Sequence, residues 1–249
     1  MIEFRNVEFR YPGDPHTVLR LPDLQIREGS SVAIMGANGS GKSTTAFCMN
    51  GMLVPTAGDV LVDGLNTADR LSLSHIRRRV GVVFQDPNLQ FTSMSVEREL
   101  AFGLENLGVP SEVMRRQVED QLRAFNLKRI RDCAPSILSG GEKQRLAVAA
   151  VMILHPGYLI LDEATSLLSA ASRRALLQLV GEVVKRSGAT LIMITQFPHE
   201  AFTAERLIVL HRGAVAFDDA PRTVFRNARD LTGMGVPVPL TMRLALDEV

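Results

Sequence analysis

The chain has 249 residues, 46% of them hydrophobic and 22% charged, with a net charge of +1. These values fit a globular protein with one large core, or a core plus a subdomain, and exclude the basic surplus by which nucleic-acid binders neutralise phosphate. No apolar run reaches the roughly 20 residues that a bilayer-crossing helix needs, and Met1–Arg5 carries no signal-peptide pattern. The two cysteines, Cys48 and Cys133, share no metal or redox spacing and read as small apolar fillers.

The first 35 residues read as β. Ile2 and Phe4 alternate with polar neighbours, and Val7, Phe9 and Tyr11 do the same. Pro12–Pro15 is a turn cluster, followed by short β pieces at Val18–Leu19 and Leu24–Ile26. Tyr11 reads equally as a strand aromatic packed on the sheet and as a platform for a base. Ser31–Met35 is an apolar strand that runs into Gly36-Ala37-Asn38-Gly39-Ser40-Gly41-Lys42-Ser43, and Thr44–Met49 can continue as helix. The pattern G-x-x-x-x-G-K-S between a strand and a helix is the phosphate-binding loop. Its glycines let backbone N–H groups converge on one anion, and the helix start adds partial positive charge. Lys42 then reaches the β- and γ-phosphates of a nucleotide, and the Ser43 hydroxyl ligates Mg²⁺.

Gly58–Gly64 reads as a strand entering a turn, Leu71–Arg79 as a short helix, and Val80–Phe84 as a strand ending at Gln85, with Asp86-Pro87-Asn88 as the break. From Ser95 to Leu154 the pattern is helical: Ser95 caps one helix, Pro110-Ser111 opens a second, and Val113, Val118, Leu122 and Phe125 recur at near-helical spacing. Leu138-Ser139-Gly140-Gly141-Glu142 follows. Ser139 and Glu142 form a capping box before an apolar helix that runs to Leu154. The paired glycines cost that helix roughly 1 kcal/mol each relative to alanine. In return they bare N–H groups at a positive helix end, which predicts a second anion site.

Tyr158–Leu161 is an apolar strand, and Asp162-Glu163 sits at its carboxyl end, where ligands gather in open parallel sheets. Two acids beside a phosphate loop are placed for Mg²⁺ and for water activation. A helix from Ala171 to Ser187 stops at Gly188, and Thr190–Thr195 is another core strand. Gln196–His199 is a loop leading to a short helix. Strands at Leu207–Leu210 and Ala214–Phe217 flank a turn at His211–Gly213, and the tail from Asp218 is turn-rich, with a terminal helix near Leu240–Leu246.

A phosphate loop, a glutamine after a core strand, Leu-Ser-Gly-Gly-Glu and an apolar strand ending in Asp-Glu stand here in that order. The set resembles the nucleotide-binding domain of ATP-binding cassette (ABC) transporters over nearly the whole chain. The resemblance implies an α/β fold: a P-loop NTPase with a RecA-like core, an N-terminal antiparallel β-subdomain and an inserted α-helical signature subdomain at about 86–154. The ATPase domain would span 1–217, and 218–249 would be a C-terminal extension that meets a dimer partner. By position, Gly36–Ser43 and the following Thr44 match Walker A, Leu159–Asp162 matches Walker B, and Glu163 takes the place of the general base. Gln85 matches the Q-loop residue that senses Mg²⁺ and water; Leu138, Ser139, Gly140, Gly141 and Glu142 match the signature that contacts ATP on an opposite protomer. Ser43, Gln85 and Asp162 form the metal set, and Tyr11 matches the adenine-stacking aromatic. ATP and Mg²⁺ are the implied cofactors.

Phe84–Phe91, Val96–Asn106 and Pro221–Phe225 look like the energy-coupling factor (ECF) type of vitamin and metal-ion importers. That type implies a second ATPase protomer (a homo- or heterodimer), a transmembrane coupling subunit and a separate substrate-capture membrane protein. It also implies a peripheral location on the cytoplasmic face of the membrane. Two positions depart from the pattern. Gln196 stands where the family has a γ-phosphate histidine, followed by Phe197 for an acid, and Ser169 stands for an aspartate that reaches the opposite protomer. Glutamine donates a hydrogen bond but cannot become cationic or relay a proton. The chain's own site is therefore expected to bind ATP and turn over slowly, with His199, three residues beyond Gln196, a surface residue. A DNA-maintenance cassette would carry long coiled-coil arms between Gln85 and Leu138, where only about fifty residues lie, and a translation-associated cassette would carry two phosphate loops.

Overall fold

A computed structural model describes residues 1–242. In chain order the strands are β1 Ile2–Phe9, β2 Leu19–Ile26, β3 Ser31–Met35, β4 Ala57–Val62, β5 Leu65–Asn66, β6 Val80–Val83, β7 Tyr158–Asp162, β8 Thr190–Ile194, β9 Arg206–His211 and β10 Ala214–Asp219. The α-helices are α1 Lys42–Met49, α2 Leu73–Arg79, α3 Val96–Asn106, α4 Ser111–Ala124, α5 Gly140–Met152, α6 Ala170–Ser187, α7 Pro198–Ala201, α8 Pro221–Val224 and α9 Ala228–Gly233.

Two sheets form. The first is antiparallel, in the order β2-β1-β4-β5; the second runs β10-β9-β3-β8-β7-β6 and is parallel from β9 to β6. The two read differently in sequence for a physical reason. A parallel sheet is covered on both faces, so β3 and β7 are near-continuous apolar runs, and every residue of β7 is buried. In β1 the buried residues fall in two phases, Ile2/Phe4 and Val7/Phe9, because the register against β4 shifts between Arg5 and Glu8. Asn6 takes φ 50° at that bulge, and the opposing Gly58 is needed: a Cβ there would lie 2.1 Å from the Asn6 carbonyl.

The two β pieces expected around Val18 and Ile26 are one strand, β2, which contains Pro22. Its edge position explains this, because an edge strand tolerates a residue without an N–H. Helix α1 packs between the sheets: Ala46, Cys48 and Met49 share a core with Phe4, Val60, Ile34 and Ile194. Helices α3–α5 build a second core around Leu100, Leu122, Phe125 and Leu146, continuous with Leu159 and Leu161 of β7, so the helical insertion is anchored to the parallel sheet.

The tail departs from the expected single helix. β10 extends to Asp219, and α8 and α9 follow, with Phe225 and Leu231 buried against Met35, Leu207 and Val209. Leu240–Met242 is helical; the remainder of the expected terminal helix lies outside the described residues. No helix among the described residues is long and apolar enough to cross a membrane.

Candidate nucleotide site

The carboxyl ends of β3, β6, β7 and β8 lie on one edge of the parallel sheet, so four loops distant in sequence meet there. They carry the phosphate loop, Gln85, Asp162-Glu163 and Gln196. A cavity of about 610 Å³ opens at this edge, lined by Tyr11, Asn38, Gly39, Gly41, Lys42, Ser43, Thr44, Gln85, Glu163 and Gln196. Asp14 and Val18, not singled out in sequence, also line it. A larger cavity of about 750 Å³ lies elsewhere, beside Gly29–Ser31 at the amino end of β3 and against α6, and no phosphate-loop residue lines it.

Within the loop, Gly36, Ala37 and Ser40 form the inner turn. A Cβ at Gly36 would lie 2.3 Å from Ser40 Oγ and 2.4 Å from the Leu210 carbonyl, so no larger residue fits. At Gly39 an added Cβ would meet nothing within 4 Å, so it is the positive φ of 77°, not crowding, that favours glycine there. Gly41 precedes α1 with φ 101°, which turns the chain into the helix. Lys42, 5% exposed, donates to the carbonyls of Gly36 and Ala37 at 3.0 and 3.1 Å.

Ser43 Oγ donates to Asp162 Oδ1 at 3.0 Å. Burial raises the Asp162 carboxyl above its ordinary range against the Ser43 hydrogen bond, the Glu163 charge raises it further, and Lys42 opposes the rise. Glu163 leaves β7 with φ 47°, a left-handed conformation that costs an L-residue about 1–3 kcal/mol. Its N–H donates to the Ile194 carbonyl at 3.1 Å, which fixes the turn. Its Oε1 lies 3.6 Å from Lys42 Nζ, and its Oε2 accepts from Gln196 Nε2 at 2.6 Å. A carboxylate only accepts, so the amide nitrogen faces it.

Tyr11 stands at the cavity mouth, 40% exposed. Phe9 meets its ring edge-on at 4.9 Å between centroids, and its hydroxyl shares a 3.0 Å hydrogen bond with Thr44 Oγ1. It is therefore both packed against the strand and presented to the cavity. Gln85 is exposed and donates to Ser166 Oγ at 3.2 Å. His199 is exposed, as expected.

None of Leu138–Glu142 lines the cavity. Leu138 is buried in the helical subdomain; Ser139 and Gly140 are exposed. The capping box forms: Glu142 Oε2 accepts from the Ser139 N–H at 2.9 Å, and Glu142 N–H donates to Ser139 Oγ at 3.4 Å. The Ser139 hydroxyl and N–H hold the Glu142 carboxyl below its usual range. Ser169 caps α6 by accepting from the Ser172 N–H at 3.2 Å. Its role as a cap is a local one that comparison with an aspartate did not suggest.

A family model described as ABC transporter matches residues 19–166. The chain is 40% identical over 249 residues to the energy-coupling factor transporter ATP-binding protein EcfA of Syntrophomonas wolfei, covering 100% of this chain and 91% of that protein. The chain belongs to the ABC transporter family. Within it the chain is an ATPase of the energy-coupling factor type, and it is also 37% identical to EcfA1 of Clostridium perfringens over 99% of this chain and 89% of that one. Among solved structures, cbiO1 from Clostridium perfringens, described as part of the ABC transporter complex cbiONQ, aligns with TM-score 0.84 at 29% identity over 98% of both chains. The cassette MJ0796, solved as a dimer in a post-hydrolysis state with ADP and Pi, aligns with TM-score 0.80 at 29% identity over 89% of this chain and 99% of that one. The chain is thus an ABC ATPase, a kind of domain that binds ATP.

Proposed function

We propose that this ABC ATPase energises a membrane importer of a micronutrient, a metal ion or a vitamin, and that its own site holds ATP better than it cleaves it. The observation that carries the second part is the pair of donors on Glu163. Lys42 faces one carboxylate oxygen at 3.6 Å and the Gln196 amide holds the other at 2.6 Å. With one partner on each oxygen, Glu163 keeps a free lone pair on both, so it can still take a proton from an attacking water, but only from the directions that Lys42 and Gln196 leave open. A histidine at position 196 could share or carry that proton; an amide cannot.

The remaining residues fit an ATPase. Lys42 would leave its two carbonyl partners to meet the β- and γ-phosphates. The phosphate-loop N–H groups would hold the phosphates, and the Tyr11 ring would stack on the base. Ser43 and Asp162 lie 3.0 Å apart, and with the Gln85 amide oxygen they would supply a hard oxygen set suited to Mg²⁺. When bound, Mg²⁺ offsets charge on the phosphate oxygens. Lys42, Asp162 and Glu163 all being in place argues for slow turnover rather than none.

Ser139–Glu142 would complete the site of a second ATPase protomer, and that protomer's signature would close this one, in a homo- or heterodimer. Two observations support the separation: the signature lies outside this chain's cavity, and the Gly140 and Gly141 N–H groups open a helix without an intrahelical partner. The outward face of the segment after 217, with exposed Arg222, Arg226 and Arg229, is proposed as a further dimer contact. Leu89 and Met94, 78% and 84% exposed in the ten residues after Gln85, fit docking to a transmembrane coupling subunit, which would work with a substrate-capture membrane protein and place the chain at the cytoplasmic face. Affinity capture of the full chain from detergent-solubilised membranes tests this reading. Recovery of a second ATPase and integral membrane subunits is expected; a chain recovered without membrane proteins would contradict it.

A further inference from the structure

Behind Glu163 and Gln196 lies a buried ion pair that touches neither the phosphate loop nor the cavity. Glu200 of α7 is 1% exposed and Arg173 of α6 is 11% exposed, with Arg173 Nε 3.5 Å from Glu200 Oε1. Each partner grips both loops that leave the catalytic edge. Glu200 accepts from the Thr165 hydroxyl at 2.7 Å and from the Thr195 hydroxyl. Arg173 donates to the Thr165 and Leu168 carbonyls at 3.4 and 3.2 Å, and its guanidinium carbon lies 3.4 Å from the Phe197 ring centroid. Thr195 Oγ1 in turn accepts from the Phe197 N–H at 3.0 Å.

The chain 165–168 follows Glu163 by two residues, and 195–197 brackets Gln196. Ser166 in the first loop also holds Gln85. Glu163, Gln196 and Gln85 thus share one support, in addition to the Glu163–Ile194 and Glu163–Gln196 hydrogen bonds. A buried pair of this kind contributes little net stability against its desolvation, so its geometry is the stronger reason for its presence. We propose that Glu200 and Arg173 are positioning residues for ATP hydrolysis: they set the distance between Glu163 and Gln196 and transmit movement of the 165–169 loop, which ends at the α6 cap Ser169, to that distance. The inference rests on reading Glu163 as the base.

The test uses single-turnover hydrolysis with the full chain in excess over ATP, which reads slow turnover as well as fast, and ATP affinity on the same preparations. Glu200→Gln is expected to slow hydrolysis roughly 10- to 100-fold, the scale of an ångström-level misplacement, with ATP affinity within about threefold because the phosphate loop is untouched. Arg173→Lys keeps the charge but loses the Leu168 contact and the stacking on Phe197, and should fall between wild type and Glu200→Gln. The double variant should be no slower than the slower single, since the two act as one unit. Hydrolysis at the wild-type rate in either folded variant, or affinity falling by the same factor as the rate, would overturn the proposal. Should Glu200→Gln fail to fold, Arg173→Lys decides alone on the same criteria. Glu163→Gln in the same assay separates the premise: a wild-type rate there removes the base, whatever Arg173→Lys shows.

Discussion

At the scale of single residues, the site is a set of side chains whose partners in the fold fix their roles. Tyr11 is held at the cavity mouth by Phe9 and Thr44, and the proposed function gives its ring the base of the nucleotide. Tyr11→Ala should weaken ATP binding about tenfold, the magnitude of one base–aromatic stack, while Tyr11→Phe keeps the ring and should stay within about threefold; equilibrium titration with ATP separates the two. Cys48 is the opposite kind of residue. Burial pushes its thiol up to about 12, so almost no thiolate exists at neutral pH. Alkylation of the native chain at pH 8 should mark half-buried Cys133 and spare Cys48, with both marked after denaturation. The phosphate loop, Asp162 and Glu163 were legible in sequence because spacing and strand ends carry their chemistry. Glu200 and Arg173 were not: each sits in ordinary helical sequence, and only the fold brings two residues 27 positions apart onto the same pair of loops.

At the scale of elements, caps and edges explain where sequence reading stopped. Ser169 stands out in sequence as a missing aspartate, yet in the fold it caps an 18-residue helix. Ser169→Ala should cost about 1 kcal/mol and Ser169→Asp only a few tenths, because aspartate caps as well as serine; thermal melts of the two variants check this. The capping box at Ser139 was readable because Ser-x-x-Glu is local. The bulge at Asn6 and the continuity of β2 through Pro22 were not, since both depend on which strand lies alongside. Two hydrogen bonds tie the signature helix to the segment after β6 that carries Gln85. Lys143 Nζ donates to Asn88 at 2.9 Å, and Gln144 Nε2 donates to the Phe84 carbonyl at 3.2 Å. Movement of α5 and of the Gln85 loop is therefore linked.

At the scale of the whole molecule, two sheets are held across α1 by a shared core and by polar ties, among them one that joins β7 to the turn after β4. Tyr158 of β7 donates to Asp63, in the turn after β4, at 2.6 Å, and Arg79 Nε reaches the same carboxylate at 2.9 Å. Partial burial pushes Asp63 up, but its hydrogen bonds from the Met1 ammonium, Tyr158 and Arg79 outweigh that and hold it at about 2. A depressed folded value means that this tie stabilises fully above the ordinary aspartate range and is lost as pH falls from about 4 toward about 2. Asp63→Asn should therefore lower stability at pH 7 and flatten its dependence below pH 4, as followed by denaturant melts across that range. The α/β class and the helical insertion were legible from the change in hydrophobic period. The packing of Phe225 and Leu231 behind Met35 was not, because short turn-rich segments carry no period.

The central claim is that this chain's site binds ATP and cleaves it slowly because Gln196 holds the base. Single-turnover hydrolysis by full-length wild type and Gln196→His, with ATP affinity measured alongside, tests it most directly. Histidine is expected to raise the rate at least tenfold, within the range that a positioned proton-transfer group supplies, with affinity changed by less than about threefold. Equal rates in the two chains would contradict the account.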